Sequence, residues 1–170
     1  MLTNLNGLTF DDVLLVPGYN GIRSRQLVTT KIKVSHAEFD IPIVSSNMDT
    51  ITGTAMAKYM SSVGGLALLH RFCSVEENVK MFKEVNDRGH VGISIGVGDE
   101  GIERAEALVS AGAMVICVDV AHGHSKGVNR TIRNLRELYK DNVAIIAGNV
   151  ATYAGADYLA AAGADIIKVG

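Results

Sequence analysis

The chain has little of what marks secreted, membrane-spanning or nucleic-acid-binding proteins. Only two cysteines, Cys73 and Cys117, occur in 170 residues. Both sit inside apolar stretches at no metal-ligand spacing, which argues against a disulfide scaffold and for a reducing, cytoplasmic setting. An excess of one charge is also lacking. Sixteen Lys and Arg face 18 Asp and Glu, a net charge of −2, so no basic field draws nucleic acid or anionic lipid. No apolar run approaches the roughly 18 residues needed to span a bilayer. The opening MLTNLNGLTFDDV has neither the basic segment nor the apolar segment of a signal peptide. What is present, 48% apolar and 20% charged residues, fits a single soluble domain able to bury a sizeable core.

The informative presence is a repeat. Apolar runs rich in β-branched residues begin near Ile41 (IPIVSS), Leu66 (LALLH), Val91 (VGISIGV), Met114 (MVICVDV), Val143 (VAIIAG) and Asp165 (DIIKVG), about 22 to 29 residues apart. They do not alternate apolar with polar, which is how strands buried on both faces of a parallel sheet read. Between them lie segments with helical periodicity. Ser74-Val-Glu-Glu77 fits a capping box, and Asp99 and Thr152 are expected helix N-caps. Gly64, Gly89, Gly112 and Gly163 each stand where a left-handed residue ends a helix. Gly127 is expected to weaken the fourth helix by about 1 kcal/mol relative to Ala. Six strand–helix units predict a winding α/β architecture with right-handed connections. Near-equal repeats with polar, glycine-bearing loops after every strand favour a (β/α)₈ TIM barrel over an open doubly wound sheet. A full barrel needs eight units, so the expectation is an incomplete barrel: an N-terminal arm over 1–40, then six strands over 41–170.

In such barrels chemistry sits on the loops that follow the strands, and the unusual polar residues fall there. The runs end in Ser45-Ser46-Asn47-Met48-Asp49, His70-Arg71, Gly96-Val-Gly98, Asp119-Val-Ala-His122-Gly-His124-Ser125, Gly148-Asn149 and Lys168-Val-Gly170. A carboxylate at Asp119 could accept hydrogen bonds from ribose hydroxyls or cap the next helix. Asn149 could orient a nucleotide through its two-sided amide or serve as a turn residue. His122 and His124, two apart with no third ligand nearby, do not make a metal site. His36 and His90 precede strands and belong to the opposite rim. Cys73 and Cys117 are read as structural rather than nucleophilic.

One alternative stays open at this level. Gly96-Val-Gly-Asp-Glu-Gly101 follows a strand and heads a helix, with Asp119 eighteen residues beyond, which matches the dinucleotide-binding fingerprint of a Rossmann fold. Asp99 and Glu100 would, however, set two carboxylates where a pyrophosphate should bind, and like charges repel there.

LTFDDVLLVP (8–17), IPIVSSNMDT (41–50), DVAHGHSKGV (119–128), AGNVAT (147–152) and GADIIKVG (163–170) together closely resemble the IMP dehydrogenase / GMP reductase family. The resemblance runs along the whole chain. It implies a (β/α)₈ barrel, a homotetramer, and hydride transfer between NAD or NADPH and a purine nucleoside monophosphate. By the same resemblance Ser46 and Met48 contact the nucleotide, and Asp119 binds the nicotinamide ribose with Val120 and Ala121 beside it. Asn149 lies near both nucleotide and cofactor, and Gly170 begins the glycine-rich loop of the catalytic cysteine. That cysteine, which forms a covalent purine adduct, and the ligands of a K⁺ ion in the dehydrogenases are expected after residue 170, so the catalytic set within this chain is empty.

Two reactions compete: GMP to IMP and ammonia with NADPH, or IMP to XMP with NAD⁺. LTFDDVLLVP and DVAHGHSKGV read like bacterial dehydrogenases. Asn47, the Gly53-Thr54-Ala-Met-Ala run, Ser24-Arg25 and His70-Arg71-Phe72 lean to reductases, as does the single helix between the second and third runs, which leaves no room for a CBS pair. The reductase is favoured. A non-catalytic nucleotide-binding fragment is the competing reading of another class. The expected partners are GMP or IMP and the C-terminal barrel segment, with no nucleic acid and no membrane.

Overall fold

A computed structural model describes residues 9–35, 37–85 and 90–170. The expected strands appear as β3 (Val44–Ser45), β4 (Leu66–Leu69), β5 (Val91–Ile95), β6 (Val115–Asp119), β7 (Ala144–Val150) and β8 (Ile166–Val169). They alternate with helices α1 (Thr54–Ser62), α2 (Val75–Val85), α3 (Gly98–Ser110), α4 (Lys126–Tyr139) and α5 (Tyr153–Ala162). The six strands form one all-parallel sheet in the order β3-β4-β5-β6-β7-β8. Strand order therefore follows chain order with no switch point, which removes the Rossmann reading. The sheet curls into most of a TIM barrel.

Side chains alternate across this sheet with period two. Ala67, Leu69, Ile93, Ile95, Ile116, Val118, Ile145 and Ala147 face the helices in the larger core, where they meet Phe82, Leu108, Ile132, Leu135 and Leu159. Each fully buried Leu or Ile there contributes about 1.5–3 kcal/mol relative to exposure. Leu66, Leu68, Val115, Cys117, Ala144 and Ile146 line the concave face. Gly92 is the small residue that lets this layer close, because a Cβ on it would lie 2.7 Å from Leu68 Cδ2 and 3.0 Å from Val115 Cγ1.

The arm holds a feature that the periodicity did not reveal, an antiparallel hairpin of β1 (Ile32–Val34) and β2 (Ala37–Phe39). Ala37 and Phe39 insert into the concave core, and the Asp40 amide donates to the Gly64 carbonyl just ahead of β4 (2.8 Å). The hairpin thus plugs the rim where the strands begin. Ahead of it the chain runs bare, with Leu14, Leu15 and Tyr19 at 95%, 97% and 100% exposure.

Helix punctuation follows the sequence with one correction. The Ser74 capping box forms in both directions (Glu77 N to Ser74 Oγ 3.1 Å, Ser74 N to Glu77 Oε2 3.2 Å), and Thr152 caps α5 through Gly155 N (3.1 Å). Gly64, Gly112 and Gly163 have φ of 77°, 108° and 112°, and Gly89 and His36 lie outside the described residues. Asp99 is not an N-cap: Val97 holds that place and Asp99 lies in the first turn. The helix starts earlier because Gly98, at φ 75°, makes the turn into it, leaving Asp99 to favour the positive helix end from within. Gly127 is the second residue of α4, where it disturbs the helix less than an interior glycine. The first strand is also shorter than the run IPIVSS, since Pro42 has no N–H to give a ladder.

Candidate active site

All six parallel strands release their following loops on one rim, and alternation decides which side chains look inward. Asp119 lies two residues beyond Cys117 on β6, and Lys168 two beyond Ile166 on β8, so both stand above the concave core. Lys168 Nζ donates to Asp119 Oδ1 (2.5 Å) and to Asn47 Oδ1 (3.0 Å). Its ammonium therefore joins the loop after β3, at one edge of the sheet, to β6 and to β8 at the other edge. This three-point contact shows that the strand ends converge on a common mouth.

The loop after β3 is fixed from within. The Met48 carbonyl accepts from Ile51 N (3.0 Å) and Thr52 N (2.9 Å). The buried Thr52 hydroxyl donates to the Ser46 carbonyl (2.5 Å) and lies 2.9 Å from Ser45 Oγ. This turns Asn47 inward, to 5% exposure, while Ser46 and Met48 on either side stay open to solvent. The segment after β6 is tied to the end of β7: Val120 N donates to the Gly148 carbonyl (3.0 Å), Asn149 N to the Val120 carbonyl (2.8 Å), and Gly123 N to the Asn149 carbonyl (2.7 Å). Asp119, Val120, Ala121 and Asn149 thus form one unit, with a cis Gly148–Asn149 peptide within it. Gly170 lies against the Asn149 side chain, and a Cβ there would come within 2.8 Å of Asn149 Nδ2.

Polar atoms at this rim are left unpaired. Asn47 Nδ2, Arg71 Nε, Ser94 Oγ and Asn149 Oδ1 are buried with no hydrogen-bond partner among the described residues, each at or within one residue of a strand end or in the loop after it. A buried unpaired group costs about 1–3 kcal/mol, and such groups are otherwise uncommon.

Other candidates are placed elsewhere. Cys117 lies in the concave core, where burial pushes its thiol up to about 12. Cys73 is raised chiefly by burial, against the nearby Arg104 guanidinium. Neither is an activated thiolate. The His124 ring packs on Tyr158 (5.0 Å between centroids), and His90 packs edge-on to Phe39 at the opposite rim (6.0 Å). Among the described residues no three His, Cys, Asp or Glu side chains gather as a metal site would require. In Gly96–Gly101, Gly101 serves packing, since a Cβ there would lie 2.6 Å from the Gly96 carbonyl oxygen, and Gly98 serves the turn into the helix at φ 75°.

Sequence reasoning passed over two parts of this rim. Lys168 was visible only as a polar residue ending its strand. Arg104, nearly buried in α3, bonds the Cys73 carbonyl (2.9 Å) and Asn78 Oδ1 (3.1 Å), while Asn78 Nδ2 bonds the His70 carbonyl (3.1 Å). A lone arginine in an amphipathic helix gives no warning of such a network, which pins the loop after β4.

The profile of the IMP dehydrogenase / GMP reductase domain matches residues 7–170. The chain belongs to this family. Inosine-5′-monophosphate dehydrogenase of Cryptosporidium parvum is 32% identical over 206 residues, covering 96% of this chain and 51% of the relative. GMP reductase of Lactococcus lactis subsp. lactis (strain IL1403) is 34% identical over 174 residues, covering 99% and 52%. The crystal structure of inosine 5′ monophosphate dehydrogenase from Legionella pneumophila superposes with a TM-score of 0.82 at 50% identity, covering 97% of this chain and 51% of that one. The chain therefore spans about half the length of these members of the IMP dehydrogenase / GMP reductase family. Among the described residues no helix is long and apolar enough to cross a membrane.

Proposed function

We propose that this chain supplies the nucleotide-facing and nicotinamide-facing rim of a purine-nucleotide oxidoreductase. The observation that carries the reading is the Asn47–Lys168–Asp119 bridge beside Asn149, which collects polar groups from four strand ends over an apolar barrel floor. Asp119 gives one carboxylate oxygen to Lys168, and its second oxygen has no partner among the described residues, so it suits a pair of ribose hydroxyls. Asn149 Oδ1, buried and unpaired, suits a ligand donor. These groups fit a nicotinamide nucleotide, which when bound would supply or accept the hydride. Asp119 and Asn149 would orient it, with Val120 and Ala121 as the adjoining wall. Ser46 and Met48, exposed on the facing loop, would contact the purine nucleotide.

The covalent step belongs in this reading to a cysteine after Gly170. Neither Cys73 nor Cys117 replaces it. Strands β3 and β8 are the open edges of the sheet, and two further βα units would close the barrel. A homotetramer in the cytoplasm and, for a dehydrogenase, a K⁺ ion outside these residues complete the proposal.

Within the family we favour GMP reduction with NADPH. The direct β4–α2–β5 passage supports it, as do reductase alignments that run through 171 to 174 residues at 99–100% of this chain. Two dehydrogenase alignments stretch over 206 and 290 residues to cover 96% of it. The second reading, IMP oxidation with NAD⁺, is supported by the 50% identity to the Legionella dehydrogenase. The test follows nicotinamide absorbance in the intact gene product. Loss of NADPH with GMP supports the first reading and gain of NADH with IMP the second. Turnover with neither pair, alongside detectable nucleotide binding, identifies a non-catalytic nucleotide-binding protein.

A further inference from the structure

We propose that Asn47 is a hydrogen-bond donor to the bound purine nucleotide and that Lys168 is the residue that positions it. This rests on the oxidoreductase reading above and adds two residues to its nucleotide site.

Three observations converge. Asn47 is 95% buried yet Nδ2 has no partner among the described residues, so the fold carries an unpaired donor that any acceptor placed there would satisfy. Its other end is engaged: Lys168 Nζ donates to Oδ1 at 3.0 Å. An ammonium can only donate, so that contact fixes which end of the amide faces Lys168 and leaves the NH₂ group for the ligand. Finally, the Thr52 contacts to Ser45 and Ser46 and the Met48 turn hold the loop backbone, and an outward swing of the amide would break its bond to Lys168.

The arrangement gives the mouth a set polarity. Asp119 offers an acceptor and Asn47 a donor, and one ammonium holds both. A nucleotide acceptor, a carbonyl or hydroxyl oxygen or a ring nitrogen, pairs with Nδ2. If the buried donor exists for binding, its removal leaves ligand-free stability intact and weakens nucleotide affinity.

The test uses the intact protein and four variants: Asn47→Leu, Asn47→Asp, Lys168→Met and Lys168→Arg. Asn47→Leu removes the amide at similar volume, and Asn47→Asp keeps an oxygen for Lys168 while deleting the donor. We expect both to raise the nucleotide KM at least tenfold, with the nicotinamide KM changed less than twofold and the ligand-free melting temperature not lowered by Asn47→Leu. Lys168→Met should also raise the nucleotide KM, and Lys168→Arg should recover part of it. An unchanged nucleotide KM in both Asn47 variants, or a rise confined to the nicotinamide KM, overturns the proposal while the oxidoreductase reading stands. Wild-type protein that shows neither turnover nor a thermal shift with any purine nucleoside monophosphate overturns both.

Discussion

At the rim where the strands begin, Arg136 uses its guanidinium fully. It donates to the Gly163 carbonyl from Nε (3.1 Å) and Nη2 (2.7 Å), to the Lys140 carbonyl (2.5 Å) and to Asp165 Oδ2 (2.6 Å), and the same Asp165 oxygen accepts from Ile145 N (2.7 Å). At the rim where the strands end, Asn47, Arg71, Ser94 and Asn149 each keep a buried polar atom unpaired. The two rims are opposite ends of one sheet with the same two apolar layers between them. The first rim holds the fold, and in the function proposed above the second gives up stability for groups that wait on a ligand, in line with the division of labour in barrel enzymes.

The largest break in this comparison is expected at the satisfied rim. Arg136→Met would strand the Gly163 and Lys140 carbonyls and leave Asp165 without its cation. Both partners of the ion pair are partly exposed, at 23% and 29%, so the loss falls below that of a fully buried pair, at about 2–3 kcal/mol. Urea unfolding should show it as a lower midpoint with an unchanged slope. Nucleotide KM should not move.

Next comes the converse at the waiting rim. Asn149→Leu should lower turnover about 100-fold, equivalent to about 2.7 kcal/mol in the barrier, and shift unfolding stability by less than about 1 kcal/mol. If instead stability collapses and turnover per folded molecule is kept, Asn149 belongs to the fold and the contrast between the rims fails.

Helix ends give a smaller contrast. Gly163 sits at φ 112° under Arg136, and a Cβ on it would lie 3.3 Å from Arg136 Cγ. Gly163→Ala should cost about 1–2 kcal/mol through strain in the left-handed region. Thr152→Ala, which loses one capping bond, should cost about 1 kcal/mol. A melting curve at one protein concentration ranks the two.

These contrasts also show what the sequence could convey. Repeat spacing and unbroken apolar runs gave away the parallel strands, because strands buried on both faces need side chains such as those of Val115–Val118 and Ile145–Ala147, whereas their order became visible only in the folded sheet. Local capping signals worked wherever a side chain bonds its own turn, as at Ser74 and Thr152. They failed at Asp99, where the turn at Gly98 moves the N-cap two residues earlier, to Val97. The β1–β2 hairpin escaped notice because only Ala37 and Phe39 of its six residues are buried, too few to set a period. At the site, position along a strand foretold which residues reach the rim. It could not foretell that Lys168 joins Asn47, 121 residues away, since that contact exists only once the sheet curls.

The smallest effect tests the barrel floor between the rims. Cys117 is completely buried among apolar neighbours, and burial first, then the Asp119 carboxylate, pushes its thiol up from 9.0 to about 12. The folded value lies above the unfolded one, so its contribution is fully present below about pH 9, the ordinary thiol value. It is lost as pH climbs toward the folded value, because the unfolded chain ionises first and each pH unit then favours it by about 1.4 kcal/mol. Tyr139 is also raised by burial, from 10.0, so its share of the alkaline loss begins later. Cys117→Ala should therefore cost about 1 kcal/mol at pH 7 from the small void it leaves. By pH 10 the gap to wild type should have closed, because only the wild type carries the thiol's alkaline penalty. Parallel stability curves from pH 7 to 10 would mean that the floor admits water and is not the dry layer on which the inward-facing rim residues stand.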